Sequence, residues 1–146
     1  MLSRYKKSPG GFTLIEVMVV VVILSILAAV VVPKIMSRPD EARTARVKQD
    51  VRALETALKL YKLDNFTYPS TDQGLMALVE RPADLPEGAR WVEGGYLDKV
   101  PKDPWGSEYV YLYPGVNADY DLYSYGADGV SGGTGEGSDI GNWNLD

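Results

Sequence analysis

The sequence predicts an α+β fold in which one long N-terminal helix packs on a small antiparallel β-sheet and a Gly- and Asp-rich loop lies near the C-terminus. Three observations support this prediction. An apolar run over residues 12–32 is followed by a helical stripe of apolar residues that continues to about residue 61. Two short segments rich in Tyr, Val and Leu, 108–112 and 120–125, alternate in the manner of strands. Seven of the 16 residues from 126 to 141 are Gly.

The charge distribution divides the chain into a basic leader, an apolar segment and an acidic remainder. Residues 1–11 contain three cations and no acid, and residues 12–32 contain one charged residue, Glu16. The net charge of the whole chain is −5; without the leader cations, 12 basic and 20 acidic side chains leave −8. This acidity suits metal cations and argues against a nucleic-acid partner, because neutralising phosphates requires clustered Lys and Arg.

Cysteine and histidine are both absent from the sequence. No disulfide can therefore stabilise a loop-rich domain in an oxidising compartment, so some other interaction must do so. The absence also removes thiol nucleophiles, the commonest general base and the usual zinc ligands. The acids form no recognisable catalytic pair, so we expect the protein not to be an enzyme; the alternative is a signal-anchored periplasmic enzyme that uses these acids.

The apolar segment 12–32 is long enough to cross a membrane. As a helix it would rise about 31 Å, which matches the hydrocarbon core of a bilayer. A plain signal anchor would keep the cations of residues 1–11 in the cytoplasm and place the C-terminal part across the membrane. A cleaved secretory signal fits less well, because the run is too long and lacks a small-x-small site before a polar mature start.

Three details of this region are not explained by an anchor alone. Pro9-Gly10-Gly11 puts a helix breaker and flexible backbone where an extended peptide could enter a protease. Glu16 lies one turn inside the apolar run, and a carboxylate at the centre of a membrane helix costs ~2.5–3.5 kcal/mol. Cleavage before Phe12 would create an ammonium group that Glu16 of a neighbouring subunit could neutralise. Small residues that favour close helix packing also lie on the run: Ser25, Ala28 and Ala29.

The order Gly11-Phe12-Thr13-Leu14-Ile15-Glu16, followed by an apolar run and Pro33, resembles the N-terminus of the type IV pilin and pseudopilin superfamily. The resemblance implies that a prepilin peptidase cuts between Gly11 and Phe12, that the same enzyme N-methylates Phe12, and that Glu16 acts in assembly. It also implies three parts. Residues 1–11 would be a cleaved leader, 12–32 a transmembrane and filament-core helix, and 33–146 a periplasmic domain of type IV pilin-like fold.

Two prolines, Pro33 and Pro39, interrupt the predicted helical region. Each removes a backbone donor and clashes with the preceding turn, so we expect a kink or a local loss of helix between them. Such a joint would let subunits extend or repack in a filament. We therefore predict that Pro33→Ala changes assembly.

A second helix is predicted after Pro39, with Asp40 as its N-cap and an end near Asp64-Asn65, where Asn adopts a left-handed conformation. Its apolar positions recur at spacings of 4, 3, 4 and 3, which predicts one buried stripe: Val47, Val51, Leu54, Leu58 and Tyr61. Packing on the chain's own domain is favoured over a coiled coil, because fewer than three heptads are present.

Short elements are predicted for the remainder of the chain. Residues 73–79 indicate a short helix, and Asp103-Pro104-Trp105-Gly106 indicates a turn with an aromatic anchor. Residues 108–112 and 120–125 are predicted to be two strands joined by residues 114–119.

The Gly-rich loop 126–141 loses much conformational entropy when it is fixed, and without disulfides another agent must offset that loss. Asp128, Glu136 and Asp139 offer hard oxygen ligands, and the backbone can turn carbonyls inward, a combination that suits Ca²⁺. The alternative is a flexible turn whose acids are solvated. The Asp/Asn alternation of an EF-hand is missing, and no Gly-Lys-Ser/Thr follows to form a phosphate loop.

Longer stretches of the chain resemble the major pseudopilins of type II secretion systems; the similar segments are Tyr61–Phe66, Tyr68–Thr71, Asp103–Gly106, Gly126–Gly129 and Asp139–Trp143. The resemblance implies one calcium ion in the C-terminal loop, with Asp128 and Asp139 as acidic ligands. An ungapped comparison would put the second acid at Gly135 instead. The backbone oxygen of Tyr125 and the side chain of Glu136 are further expected ligands.

Together these resemblances imply a structural protein, the major subunit of a pseudopilus that polymerises from the inner membrane and drives export of folded proteins across the outer membrane. Its expected partners are further copies of the chain, prepilin peptidase, minor pseudopilins and the inner-membrane assembly platform. It is expected to cross the bacterial inner membrane once, with the N-terminus in the cytoplasm and the C-terminal domain in the periplasm. One alternative is a type IV pilin for adhesion or motility, although such pilins commonly carry a C-terminal disulfide loop. Another is a minor, tip-located pseudopilin.

Overall fold

A computed structural model of the chain describes residues 10–36 and 38–146, with the backbone alone at residues 31–36 and 38. Helix α1 comprises Leu14–Met36 and helix α2 comprises Arg38–Asn65. Three short strands and two 3₁₀ turns complete the order of elements: the turn Leu75–Leu78, β1 Val110–Leu112, β2 Asp121–Ser124, the turn Gly135–Gly137 and β3 Ile140–Gly141. The chain divides into two compact units between Pro39 and Asp40.

Both prolines of the predicted joint lie within helices. α1 continues through Pro33 to Met36, so the expected loss of helix is wrong for these residues. Pro39 is the second residue of α2, where its missing N–H would have no partner inside the helix anyway. Ser37 lies outside the described residues, and the role of Pro33 in assembly stays a prediction.

Helix α2 presents the predicted apolar stripe to the core, and all five of its residues are buried. Its start differs from the prediction, because Asp40 lies in the first turn instead of at the N-cap and accepts a 3.1 Å hydrogen bond from the Arg43 guanidinium. The helix ends at Asn65 as expected, but the left-handed residue is Phe66, with φ 61°. Its N–H donates to the Lys62 carbonyl at 2.7 Å, which closes the last turn.

The three strands form one antiparallel sheet in the order β1-β2-β3. Tyr111 lies opposite Leu122 in the first pair, and Ser124 lies opposite Ile140 in the second. The two predicted strands are confirmed with shorter bounds, whereas β3 was not predicted. β3 returns the end of the C-terminal loop to the sheet, so the loop is held at both of its ends.

The sheet packs on α2 through tyrosines whose rings fill the core and whose hydroxyls reach the acids of the helix. The Tyr109 hydroxyl donates to Asp50 Oδ2 at 2.9 Å, and the Tyr120 hydroxyl donates to Glu55 Oε1 at 3.2 Å. Burial, and next the neighbouring carboxylates, raise the pKa of both phenols. These phenols therefore stay protonated and join helix to sheet, which confirms the predicted α+β arrangement.

The short helix predicted at 73–79 is a single 3₁₀ turn, Leu75–Leu78. Gly74 precedes it with φ 61°, a left-handed conformation that a helix cannot continue. The Leu78 carbonyl accepts the N–H groups of Tyr96 and Leu97 at 2.7 and 3.0 Å, which ties the following loop to the core. The turn serves packing, because three of its four residues are buried in the core.

Candidate functional site

The first candidate region is the N-terminal segment, whose described side chains from Phe12 to Val30 are all exposed. Among them are 14 large apolar residues, from Phe12 to Val30, each with half or more of its surface open. Soluble monomers rarely expose an apolar surface of this extent, so it indicates an interaction with another chain or with lipid. Of the residues that the structure describes, none forms a helix with both the length and the apolar character needed to cross a membrane.

Thr13 begins α1 as an N-cap that the sequence analysis did not identify. Its Oγ1 accepts a hydrogen bond from the Glu16 N–H at 3.3 Å. Thr13-x-x-Glu16 is the spacing of a capping box, which was a detectable signal for this cap. Glu16 thus lies in the first turn of the helix, where the macrodipole favours a negative charge.

The second candidate region is the C-terminal loop, which closes on itself through backbone contacts. The Ala127 N–H donates to the Glu136 carbonyl at 2.8 Å, and the Ser138 hydroxyl donates to the Gly135 carbonyl at 2.6 Å. Gly126 has φ 77°, and a Cβ there would lie 2.5 Å from the Glu136 oxygen. Only glycine fits this crossing point of the loop.

The two acids predicted as metal ligands both face this loop. One carboxylate oxygen of Asp128 accepts the Val130 N–H at 3.1 Å; the other lies 2.6 Å from where a Cβ on Gly137 would be. Asp139 Oδ2 accepts the Gly132 N–H at 3.0 Å, whereas Asp139 Oδ1 is buried without a hydrogen-bond partner. Within the described residues, no three acidic side chains gather closely enough to bind a metal by themselves. Backbone carbonyls would have to complete any site.

Glu136, the third acid of the loop, has its carboxylate beside α2. Glu136 Oε2 lies 3.8 Å from Arg43 Nη1, which also donates to Asp40. A hydrogen bond shared with Asp40 raises the pKa of Glu136, while Arg43 opposes that shift. The side chain of Glu136 therefore links the loop to the start of α2, and its role as a ligand stays a prediction.

A series of buried hydrogen bonds leads into the loop, and nothing in the sequence indicated it. Asp103 is 4% exposed and Ser124 is fully buried. The Ser124 hydroxyl donates to Asp103 Oδ2 at 2.6 Å and accepts the Gly126 N–H at 3.1 Å. Asp103 Oδ1 accepts the N–H groups of Trp105 and Ser107 at 3.1 and 2.8 Å. The predicted turn at residues 103–106 is thus joined to the first glycine of the loop.

A second buried acid, Asp121, fixes the loop between β1 and β2 and is only 1% exposed. Its two oxygens accept N–H groups from the backbone of Val116, Asn117 and Ala118 and from the Asn117 side chain, at 2.9–3.2 Å. Burial alone would raise its pKa, but these hydrogen bonds outweigh burial and hold the pKa of Asp121 below its ordinary value. This contact is structural and lies in a different loop from the candidate metal ligands.

Residues 34–143 match the family described as type II secretion system (T2SS), protein G, and residues 6–32 match the prokaryotic N-terminal methylation motif. The chain belongs to the type II secretion system protein G family. It is similar to the type II secretion system core protein G of Pseudomonas aeruginosa, with 57% identity over 94% of this chain and 97% of the relative. The core protein G of Vibrio cholerae is 55% identical over 92% of each chain.

The fold agrees with this family. The crystal structure of the major pseudopilin from the type 2 secretion system of enterohaemorrhagic Escherichia coli is 44% identical and superposes with a TM-score of 0.67. It covers 76% of this chain and 91% of its own. The predictions of a type IV pilin-like pseudopilin and of an N-methylation motif are confirmed. The protein is a structural subunit of a type II secretion pseudopilus and not an enzyme, and the alternative of an adhesive or motility pilin is not favoured.

Proposed function

We propose that this protein G family member is stored in the inner membrane through its apolar N-terminal helix and polymerises from there into the pseudopilus. The uncovered side chains of α1 are the observation that supports the proposal. Lipid tails or the helices of other subunits can each cover such a surface. In the membrane the N-terminus would face the cytoplasm and residues 33–146 the periplasm, because the leader cations favour the cytoplasmic side.

The absence of cysteine makes this topology easy to test. Val116 is 87% exposed in the loop between β1 and β2, so Val116→Cys introduces one accessible thiol. We expect a membrane-impermeant maleimide to label this variant in spheroplasts. Ser3→Cys, in the leader of an uncleaved precursor, is the matched control and should react only after lysis. Labelling of the Val116→Cys variant that also needs lysis would contradict the proposed orientation.

The proposed processing step is cleavage between Gly11 and Phe12 by a prepilin peptidase, followed by N-methylation of Phe12. The new ammonium group would then pair with Glu16 of the next subunit. Partners in this process would be further copies of the chain, the peptidase, minor pseudopilins and the inner-membrane assembly platform. Mass spectrometry of the membrane form should show an N-terminus at methylated Phe12; an intact Met1 would contradict the proposal.

Glu16 allows the assembly step to be tested separately from processing. Glu16→Gln removes the charge and keeps the size, so we expect normal cleavage but strongly reduced fibre yield. Glu16→Asp is the matched control, because it retains the carboxylate on a shorter side chain and should assemble better than the Gln variant. Normal fibre formation by Glu16→Gln would rule out charge pairing as the ordering interaction.

We further propose that the C-terminal loop binds one Ca²⁺ ion. The unpartnered, buried Asp139 Oδ1 supports this, because a buried acceptor is rarely left without a partner. Asp128 supplies a second carboxylate near the start of the loop, whereas Asp139 lies near its end. Ca²⁺ takes 6–8 oxygen ligands in flexible geometry, so carbonyls such as that of Tyr125 would join the two acids. Asp139 fits better than the alternative position, Gly135, which has no side chain to offer.

Calcium binding predicts a stability change that can be measured on the full chain in detergent. At a Ca²⁺ concentration 100 times Kd, binding stabilises the folded state by about 2.7 kcal/mol. For a folded unit of the size of Asp40–Asp146, that raises Tm by about 10 °C. Asp139→Asn should abolish most of the rise, whereas Asp119→Asn should retain it because Asp119 is an exposed acid in a different loop. An equal rise with Mg²⁺, or no rise at all, would contradict the proposed site.

A further inference from the structure

The connection between Asp103, Ser124 and Gly126 has a fixed direction. A hydroxyl has one proton, and in Ser124 that proton is donated to Asp103 Oδ2. The Ser124 oxygen can therefore only accept at its remaining positions, and there it accepts the Gly126 N–H. Asp103 is in turn held by two backbone N–H groups at its other oxygen. Each of these three groups is therefore held by its neighbour in the series, in a buried region of the domain.

Fixing the Gly126 N–H also fixes the carbonyl of Tyr125, because both belong to one peptide unit. The unit is planar, and in the trans form its C=O and N–H point in opposite directions. The N–H points at the buried Ser124 side chain, so the Tyr125 oxygen points away from it. Gly126 immediately follows with φ 77° and packs against the carbonyls of Glu136 and Ser138. The loop that carries Asp128 and Asp139 therefore begins at a carbonyl of defined orientation.

We propose that Ser124 and Asp103 are positioning residues for the calcium site, which hold the Tyr125 carbonyl in the orientation of a metal ligand. The inference rests on the proposed calcium site. It assigns a role to two buried polar residues. The Asp-Pro-Trp-Gly turn would then belong to the metal site although none of its side chains is a ligand.

Terbium is the probe for the test, because this oxygen-seeking lanthanide replaces Ca²⁺ and its luminescence lifetimes in H₂O and D₂O count the water molecules bound to the ion. The full chain in detergent is compared with Ser124→Ala, in which the Gly126 N–H loses its acceptor. We expect the affinity for terbium to fall about 10–100-fold, as found when outer-shell partners of metal ligands are removed. We also expect one additional bound water, which takes the place of the displaced carbonyl.

Two further variants separate positioning from general destabilisation. Asp103→Asn should also lower terbium affinity, as Ser124→Ala does. The Asn amide can donate to Ser124, which alters the series of hydrogen bonds. Asp121→Asn is the matched control, because it also alters a buried acid that orders a loop. It should lower Tm while terbium affinity and the count of bound waters stay at the wild-type values. Ser124→Thr keeps the hydroxyl and should restore the wild-type water count.

The possible outcomes distinguish the positioning role from the calcium site on which it depends. Wild-type chain that binds neither terbium nor Ca²⁺ would overturn both. Wild-type chain that binds, together with a Ser124→Ala variant of unchanged affinity and unchanged water count, would overturn the positioning role alone. The positioning role would also be overturned if Asp121→Asn altered the water count as strongly as Ser124→Ala does.

Discussion

Replacement of Asp121 by Asn tests how far one buried carboxylate stabilises the domain. Asp121 Oδ1 accepts N–H groups from Asn117 and Ala118, and Asp121 Oδ2 accepts them from Val116 and from both the backbone and the side chain of Asn117. An amide has only one oxygen. The Asn117 backbone N–H is shared by both oxygens and keeps one acceptor, so the new NH₂ group leaves either the Ala118 N–H alone, or the Val116 N–H and the Asn117 side chain, without an acceptor.

The magnitude follows from these contacts. A hydrogen bond to a charged group contributes about 1.5–3 kcal/mol, so the loss of one or two corresponds to about 1.5–6 kcal/mol. The loop that precedes Asp121, residues 116–119, is exposed and can move towards water, so we expect a loss of about 3 kcal/mol. For a unit of the size of Asp40–Asp146, this lowers Tm by about 10–15 °C.

The assay is thermal unfolding of the full chain in detergent, followed by near-UV circular dichroism of the buried tyrosines. Asp119→Asn is the matched control, because Asp119 is an exposed acid in the same loop. It should change Tm by less than about 2 °C, as expected for a surface position. A fall of similarly small size for Asp121→Asn would refute the reasoning, since it would mean that the four donors find water without loss.

The pH dependence of stability tests independently whether the negative charge of Asp121 causes the stabilisation. The folded pKa of Asp121 lies below the ordinary value of 3.8, so its stabilisation is complete above that value and is lost as the pH falls through the folded pKa. The difference in Tm between wild type and Asp121→Asn should therefore be constant from neutral pH down to about pH 5 and shrink below about pH 4. A difference that persists unchanged at lower pH would show that the charge is not the cause.

Three further substitutions have defined expectations in the same assay. Leu58→Ala opens a cavity under the fully buried stripe of α2 and should cost about 3–5 kcal/mol. Phe66→Gly removes an exposed side chain from a left-handed conformation and should raise stability by about 1 kcal/mol, so a lower Tm would contradict the strain. Wild-type stability should fall above about pH 10, where the unfolded phenol ionises and the buried Tyr109 does not. Tyr109→Phe should show less of this alkaline loss.

The elements that the sequence predicted well are those defined by local periodicity. The α2 stripe from Val47 to Tyr61 is buried throughout, and both predicted strands form. β3 escaped prediction because it has two residues, one of them Gly, and only the neighbouring strand makes it a strand. The left-handed position after α2 moved from Asn65 to Phe66 because the Asn65 side chain is used in a hydrogen bond to the Tyr61 carbonyl.

The candidate site likewise contains some residues that could be chosen from the sequence and some contacts that could not. Asp128 and Asp139 could be chosen from composition and from resemblance, since both lie within one Gly-rich segment. The connection of Asp103 to Ser124 could not, because it joins residues 21 positions apart and depends on how the turn packs against β2. The position of Glu136 beside Arg43 is likewise a tertiary contact between residues far apart in the chain, and no local pattern announces it.

The uncovered helix α1 has a consequence for how such a filament would grow and shrink. Under the proposed function, its apolar side chains are hidden from water both in lipid and in the fibre, so the hydrophobic free energy changes little when a subunit passes between the two. The direction of exchange is then set by smaller, polar differences, among them whether Glu16 meets a partner. A fibre built in this way can be dismantled as readily as it is extended, and its subunits return to the bilayer intact.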